Sequence, residues 1–304
     1  MEIALMIEGQ NGLNWERWQR IVRAAEELGF VGLYRSDHLT NPQPPDLDAL
    51  ELWVSLTWLA SNTKRIEFGP LVSPVSFRHP VWTAKMATAI DDLSGGRLQL
   101  GLGAGWQERE HAHYGFDLLT IPQRIARFQE ALDVVTSLLR SDEPVTFNGT
   151  YYHLQEATLL PRPQRAGGPP LVIGGGRSIL PFAARYASEW NTAFAPASKF
   201  AALNTRLDEL LEKQGRRSDE VRRSLMTRII FGLSEQEVQR KVQSGGQTIE
   251  ALRSAGILVG TGPQIREQLE QLSSVGVQRI MLQWLDLNDI DGLASMAGAV
   301  LSDA

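Results

Sequence analysis

The chain contains no cysteine, which excludes disulfides, thiolate metal sites and a cysteine nucleophile. It has no basic excess either. Lys and Arg number 30 against 35 Asp and Glu, giving a net charge of −5 and a pI near 5.6. Without surplus cations to neutralise phosphates, nucleic acid is not an expected partner. No apolar run approaches the roughly 20 residues of a membrane-spanning helix, so no membrane partner is expected. Residues 1–8 are too short in their apolar part and too acidic for a secretion signal, and a cytoplasmic location is expected. Also missing are an H-E-x-x-H pair, a G-x-S-x-G elbow and a G-x-x-x-x-G-K-[ST] loop. Zinc hydrolase, serine esterase and P-loop readings thereby lose their usual support. What is present in quantity is apolar: a hydrophobic share of 43% is ample for a sizeable core.

Short apolar stretches alternate with helical spacings almost from end to end. Strands are predicted at 3–7, 31–34, 65–71, 98–102, 170–173, 190–194, 225–231 and 279–282. Between and after them, helices are predicted at 15–28, 47–61, 80–93, 122–139, 179–186, 199–214, 263–274 and 290–301. The first carries Trp18, Ile21, Val22, Ala25 and Leu28 on one face and closes at Gly29. Around Asn148-Gly149, β-formers between 145 and 160 signal a hairpin. About eight strand–helix pairs predict an α/β fold, a closed (β/α)8 TIM barrel. The hairpin is an insertion after the fourth helix, at approximately 143–169, and residues 1–304 read as one domain. An open doubly wound sheet is the alternative. That fold usually places G-x-G-x-x-G after its first strand, and Glu8-Gly9-Gln10-Asn11-Gly12 does not match.

In a barrel, ligands sit where strands end. Leu98, Leu100 and Leu102 alternate with Gln99, Gly101 and Gly103, and Gly103-Ala104-Gly105-Trp106 then leaves little side chain ahead of one large aromatic. Gly174-Gly175-Gly176-Arg177-Ser178 opens a helix. Its backbone N–H groups, the positive helix end and the Arg177 guanidinium form a candidate phosphate site. The plainer reading of those glycines is a tight turn. His38, next to Asp37 at the second strand's end, is a candidate proton carrier; the alternative is a capping Asp beside a structural His. His79, before Pro80, is expected to orient a loop. Glu108, Glu110, His111 and His113 have the density of a metal site. On a helix the two imidazoles point apart, so no metal is expected. Trp106 and Trp190 are stacking candidates, with burial the default for each.

Taken in order, these motifs resemble the bacterial luciferase-like flavin-dependent family. The resemblance covers nearly the whole chain. It rests on Ala24-Ala25-Glu26-Glu27-Leu28-Gly29, Ser36-Asp37-His38-Leu39, Leu71-Val72-Ser73-Pro74 and Phe77-Arg78-His79-Pro80. Further along it rests on 91–97, 101–106, Glu110, Tyr114-Gly115, Arg124, Gly174-Gly175-Gly176, Ala183-Ala184-Arg185-Tyr186 and 259–263. The resemblance implies a (β/α)8 barrel with an insertion and an oxidoreductase using coenzyme F420 or FMN. Similarity in 93–106 and in Val72-Ser73-Pro74 points to the F420-dependent oxidoreductase subgroup. There a hydride passes between the deazaflavin and a small organic substrate, here unidentified. The alternative is an FMN-dependent luciferase-like monooxygenase using molecular oxygen.

The same resemblance implies that Asp37, Ser73, Ala104, Gly105 and Gly174, Gly175 and Gly176 contact the cofactor. Val72, Trp106, Arg177 and Ser178 complete the expected cofactor set, and His38 falls on a catalytic histidine. A non-prolyl cis peptide is expected at or near Val72-Ser73, and a homodimer is expected because relatives are often dimers. One departure stands out. The family's sugar-phosphate dehydrogenases place a glutamate after the Gly-x-Gly and a tryptophan four residues beyond the histidine. Trp106 and Pro42 stand there instead, which argues against that substrate. Two rival readings remain: a barrel aldolase or isomerase, and a non-catalytic flavin-binding protein. The aldolase would want a Schiff-base lysine or a carboxylate pair at strand ends, whereas the lysines fall on predicted helices or loop starts.

Overall fold

The computed structural model describes residues 1–301. In chain order its strands are β1 (Glu2–Ile7), β2 (Gly32–Arg35), β3 (Glu67–Pro70), β4 (Ser73–Pro74), β5 (Leu100–Gly103) and the hairpin β6 (Val145–Asn148) with β7 (His153–Ala157). They continue as β8 (Leu171–Gly174), β9 (Glu189–Ala193), β10 (Arg222–Phe231), β11 (Leu258–Gly260) and β12 (Arg279–Gln283). Helices α1 (Trp15–Leu28), α2 (Leu52–Asn62), α3 (Pro80–Leu93), α4 (Glu108–Tyr114), α5 (Ile121–Arg140) and α6 (Leu180–Tyr186) are followed by five more. These are α7 (Ala197–Lys213), α8 (Glu235–Ser244), α9 (Ile249–Ser254), α10 (Gly262–Ser274) and α11 (Ile290–Val300).

The main sheet runs β3-β2-β1-β12-β10-β9-β8-β5-β4, every pairing parallel. β3 and β4 are two halves of one stave, broken at Leu71–Val72. The ring closes where Phe68 pairs with Leu98: Gln99 N–H donates to the Phe68 carbonyl at 2.8 Å, and Val75 N–H to that of Gly103 at 3.0 Å. The result is the closed eight-stave barrel that the alternation predicts. β11 lies outside it, parallel to β10. The hairpin follows α5, the fourth of the predicted helices, and its turn falls just beyond Asn148.

Three local differences have physical causes. The second helix begins at Leu52, not 47, because the Glu51 carboxylate caps it by accepting the Val54 N–H at 2.7 Å. The segment between Phe231 and Pro263 holds α8, α9 and β11, which the alternation passed over. Their buried residues Val238, Val242, Leu252 and Val259 form a small cluster apart from the main core. α4 is only seven residues long, too short for a periodic signal.

Period-two alternation divides the barrel's two faces. Leu98, Leu100 and Leu102 pack outward into the helix-covered core, while Ala4, Met6, Tyr34, Leu71, Val172 and Met281 form a separate cluster inside the ring. The amino-terminal end of that lumen is filled by charge. Arg279, 1% exposed, donates to Glu189 at 3.0 Å, Tyr34 at 2.7 Å, Glu2 at 2.8 Å and Glu67 at 2.5 Å. Burial pushes the Glu189 carboxyl up, partly offset by Arg279. Around this network a cavity of about 1110 Å³ opens at the barrel's bottom. Its acids and arginines answer one another, which reads as stability, not catalysis.

Removing one partner of such a buried network leaves uncompensated charge, at a cost of about 3–5 kcal/mol. Arg279→Met is therefore expected to lose that much stability in urea unfolding, and a double replacement with Glu189→Leu to recover part of it. A single-variant loss below about 1 kcal/mol would show that the network contributes little.

Candidate active site

Because every stave runs the same way, the loops after β1, β2, β4, β5 and β8 share one rim. β5 and β8 are direct neighbours in register, Leu102 beside Ile173, so Gly103-Ala104-Gly105-Trp106 and Gly174-Gly175-Gly176-Arg177-Ser178 stand side by side. The structure brings these segments together with Asp37, His38, Val72 and Ser73.

The glycines serve a purpose different from the one expected. A methyl group at Gly103 would come within 2.5 Å of Val72 Cγ2, and one at Gly174 within 2.9 Å of Val72 Cγ1. The room they leave is taken by the Val72 side chain, which forms the apolar floor of the mouth. Leu71–Val72 is a cis peptide between non-proline residues, next to the position the resemblance implied. Gly105 is closed by Ser76 Oγ, 3.0 Å from where its methyl would be, and Gly175 by Ile179 at 2.5 Å. Only Gly176 of this set faces open space.

Asp37 and Ser73 are 4% and 2% exposed and are turned toward protein, not toward an open cleft. Ser73 Oγ donates to Asp37 Oδ2 at 2.7 Å, and Arg78 grips the same carboxylate with both Nη atoms, at 2.5 and 3.2 Å. Burial pushes the Asp37 carboxyl up, against the opposing pull of Arg78 and Ser73. Both expected cofactor contacts thus act here as a brace between the ends of β2 and β4. In the sequence Arg78 stands out only within Phe77-Arg78-His79-Pro80. The signal available was a cation close after the third strand and an otherwise unmatched Asp37.

His38 has a partner the sequence reading missed. Its Nδ1 lies 3.0 Å from Glu110 Oε1 and 3.2 Å from Oε2, and Oε2 also accepts the Leu39 N–H at 3.0 Å. Glu110 is 1% exposed. With a carboxylate at Nδ1, that nitrogen carries a proton in both charge states, so Nε2 is the atom that gains or loses one. Burial pulls the imidazolium down, but the Glu110 hydrogen bond and the charges of Glu110, Glu8 and Asp37 outweigh it, and the net shift is upward. Trp106, more than half exposed, meets the His38 ring edge-on at 5.4 Å. Beside His38, Gln10 donates to Glu8 at 2.9 Å and accepts from Ser36 Oγ at 2.8 Å.

The β8 loop keeps only part of the expected cradle. Gly175 N–H is spent on the Asn191 carbonyl at 2.9 Å, and the Gly175 carbonyl accepts Trp190 Nε1 at 2.9 Å. The N–H groups of Gly176, Arg177 and Ser178 have no partner among the described residues, and all three residues are exposed. Trp190 itself is fully buried and stacked on Phe200. His111 is buried between the Gln107 carbonyl, 2.7 Å, and Ser76 Oγ, 2.8 Å, while His113 is exposed. His79 caps α3 by accepting the Val81 N–H at 3.3 Å.

The luciferase-like monooxygenase model matches residues 1–254. Over 182 residues the chain is 32% identical to 4-hydroxyprotoasukamycin monooxygenase of Streptomyces nodosus subsp. asukaensis, covering 60% of this chain and 47% of that one. It is also 32% identical over 204 residues to F420-dependent glucose-6-phosphate dehydrogenase of Microbacterium testaceum, covering 65% and 59%. The matched region thus spans about half to three-fifths of the length of these relatives. In architecture it is similar to an F420-dependent secondary alcohol dehydrogenase in complex with an F420-acetone adduct, with TM-score 0.82 over 98% of both chains at 20% identity. Because the family model matches more than four-fifths of its length, the chain belongs to the luciferase-like monooxygenase family.

Proposed function

We propose that this protein is an oxidoreductase that uses coenzyme F420 to exchange a hydride with a small organic substrate at the carboxyl-terminal mouth of the barrel. The observation that carries the reading is the meeting of His38–Glu110 and the open loop Gly176-Arg177-Ser178 on one rim. The residues present fit a flat ring with a phosphorylated tail. Three unpartnered N–H groups and the Arg177 side chain would hold the phosphate. The Val72 side chain, with the backbone of Gly103, Ala104 and Gly174 beside it, would back the ring. When bound, the deazaflavin or flavin supplies the atom that gives or takes a hydride.

The chain's own residues supply position and a proton. Glu110 holds the imidazole through Nδ1, leaving Nε2 to give a proton to, or take one from, the oxygen of a substrate carbonyl or alcohol. The raised pKa keeps more of His38 protonated near neutral pH than an ordinary histidine. Trp106 narrows the approach over His38 and excludes water. The sister relative named a monooxygenase supports a second reading, in which FMN occupies the same mouth and oxygen is the co-substrate.

We also read the protein as a cytoplasmic homodimer. No helix among the described residues is long and apolar enough to cross a membrane. α2 packs against α3, and Val54 and Trp82 on them are 56% and 62% exposed. Apolar side chains of that size on adjoining helices suit burial against a second copy.

Four measurements test this. Titration with F420 and with FMN is expected to favour F420 at least tenfold, about 1.4 kcal/mol; uptake of neither sinks the proposal, and preference for FMN selects the second reading. Gly176→Asp, in open space, is expected to weaken either cofactor at least tenfold with an unchanged urea midpoint. In NMR titrations His38 is expected to titrate above the ordinary value of 6.5, and lower in Glu110→Gln. Because the folded value is raised, protonated His38 stabilises the fold fully below the unfolded pKa, and this fades as pH rises through the folded one. An unshifted E110Q titration would remove Glu110 from this role. Trp82→Glu is expected to yield monomers in light scattering, where a wild-type monomer would refute the dimer.

A further inference from the structure

Arg228 stands on the lumen face of β10. Met226, two residues earlier, belongs to the cluster inside the ring, while Leu225 and Ile229 face the outer core. Alternation therefore turns Arg228 inward at the carboxyl end of the strand. Its register neighbour on β12 is Gln283, whose Nε2 donates to Glu8 at 2.6 Å. Arg228 thus shares the mouth with Glu8 and, through it, the surroundings of His38.

Its guanidinium is half-buried yet makes no hydrogen bond or ion pair among the described residues. Three other enclosed arginines are engaged: Arg78 by Asp37 and Glu51, Arg97 by Thr63 and backbone carbonyls, Arg279 by its carboxylates; Arg127, on α5 and outside the lumen, shares the lack of a partner. Burial pulls the Arg228 guanidinium down. It lines a cavity of about 380 Å³ together with Lys241, Trp284, Asp286 and Asp289. The other polar groups there are engaged. Lys241 donates to the Phe231 carbonyl and pairs with Glu237; Asp289 caps α11 through Gly292 N–H; Asp286 accepts the Asn288 N–H. Spare bonding capacity at this wall is concentrated in one guanidinium.

We infer that Arg228 selects a substrate bearing a carboxylate, gripped by the planar guanidinium while the reacting carbon lies toward His38. This rests on the reading of the mouth given above. A two-oxygen monoanion matches the guanidinium fork. A phosphate dianion fits less well, because the one lysine lining the space, Lys241, is already engaged and Asp286 and Asp289 border it. The volume is at the small end for a ligand pocket, roughly 300–1,000 Å³, in keeping with a compact acid.

The test titrates glutarate, dimethyl glutarate and inorganic phosphate into the full chain by calorimetry, with and without bound cofactor. Glutarate is expected to bind at least tenfold more tightly than its diester and than phosphate. Arg228→Met is expected to weaken glutarate at least tenfold and Arg228→Lys by less, with F420 and FMN affinities unchanged within twofold. The two variants are compared at equal urea midpoints. Equal glutarate binding by wild type and R228M overturns the proposal, as does a diester or phosphate that binds as well as the diacid. A parallel loss of cofactor affinity in R228M also overturns it, by assigning the guanidinium to the cofactor's anionic tail. Arg228-dependent glutarate binding in a protein that takes up neither cofactor leaves the carboxylate site standing and removes the redox reading instead.

Discussion

The barrel closes because two staves approach each other backbone to backbone. A methyl group at Gly69 would collide with the Gln99 carbonyl oxygen, and one at Gly101 with that of Pro70. Any side chain at these positions would force β3 and β5 apart and open the ring at its last seam. The stave then breaks at Leu71–Val72 and resumes as β4 beside Leu102 and Gly103. That break swings Val72 into the lumen against Gly103 and Gly174, and sets Ser73 beside Asp37. The mouth's floor and the brace that fixes its rim both follow from one close seam.

The two ends of the lumen obey opposite rules. At the amino-terminal end, arginine and glutamate neutralise each other, and Tyr34 fills in between. At the carboxyl-terminal end, several groups keep bonding capacity in reserve: His38 Nε2, the N–H groups of Gly176, Arg177 and Ser178, and the Arg228 guanidinium. Leaving polar groups unsatisfied costs stability. The unfilled groups gathered on the carboxyl-terminal rim are what the proposed ligand site requires.

Much of this was legible in the sequence. Leucines alternating with Gln99, Gly101 and Gly103 announce a stave whose apolar face meets helices, and the outward packing of Leu98, Leu100 and Leu102 bears that out. The strand-end clusters announce the rim, since parallel staves must deliver them to one side. Partners were less legible. Asp37 and Arg78 are 41 residues apart, and His38 and Glu110 are 72 apart; nothing local distinguishes Glu110 from Glu108, which lies on the same short helix but is exposed. The glycine clusters invited a ligand, whereas a valine side chain occupies part of their space. Arg228 was invisible for a different reason: its meaning lies in having no partner, and absence of a partner has no sequence signature.

The departure at residue 106 links these observations. Where the resemblance implies a carboxylate in the family's sugar-phosphate dehydrogenases, this chain has an indole that meets the His38 ring nearly perpendicular to it. The carboxylate that holds His38 is Glu110, deep enough to be shielded from solvent. Glu110 fixes the imidazole from below, and the surface beside it is aromatic. A sugar, hydroxylated on every side, gains little from such a wall. A compact substrate with an apolar body against Trp106 and a single anionic end at Arg228 would use both features of the proposed mouth.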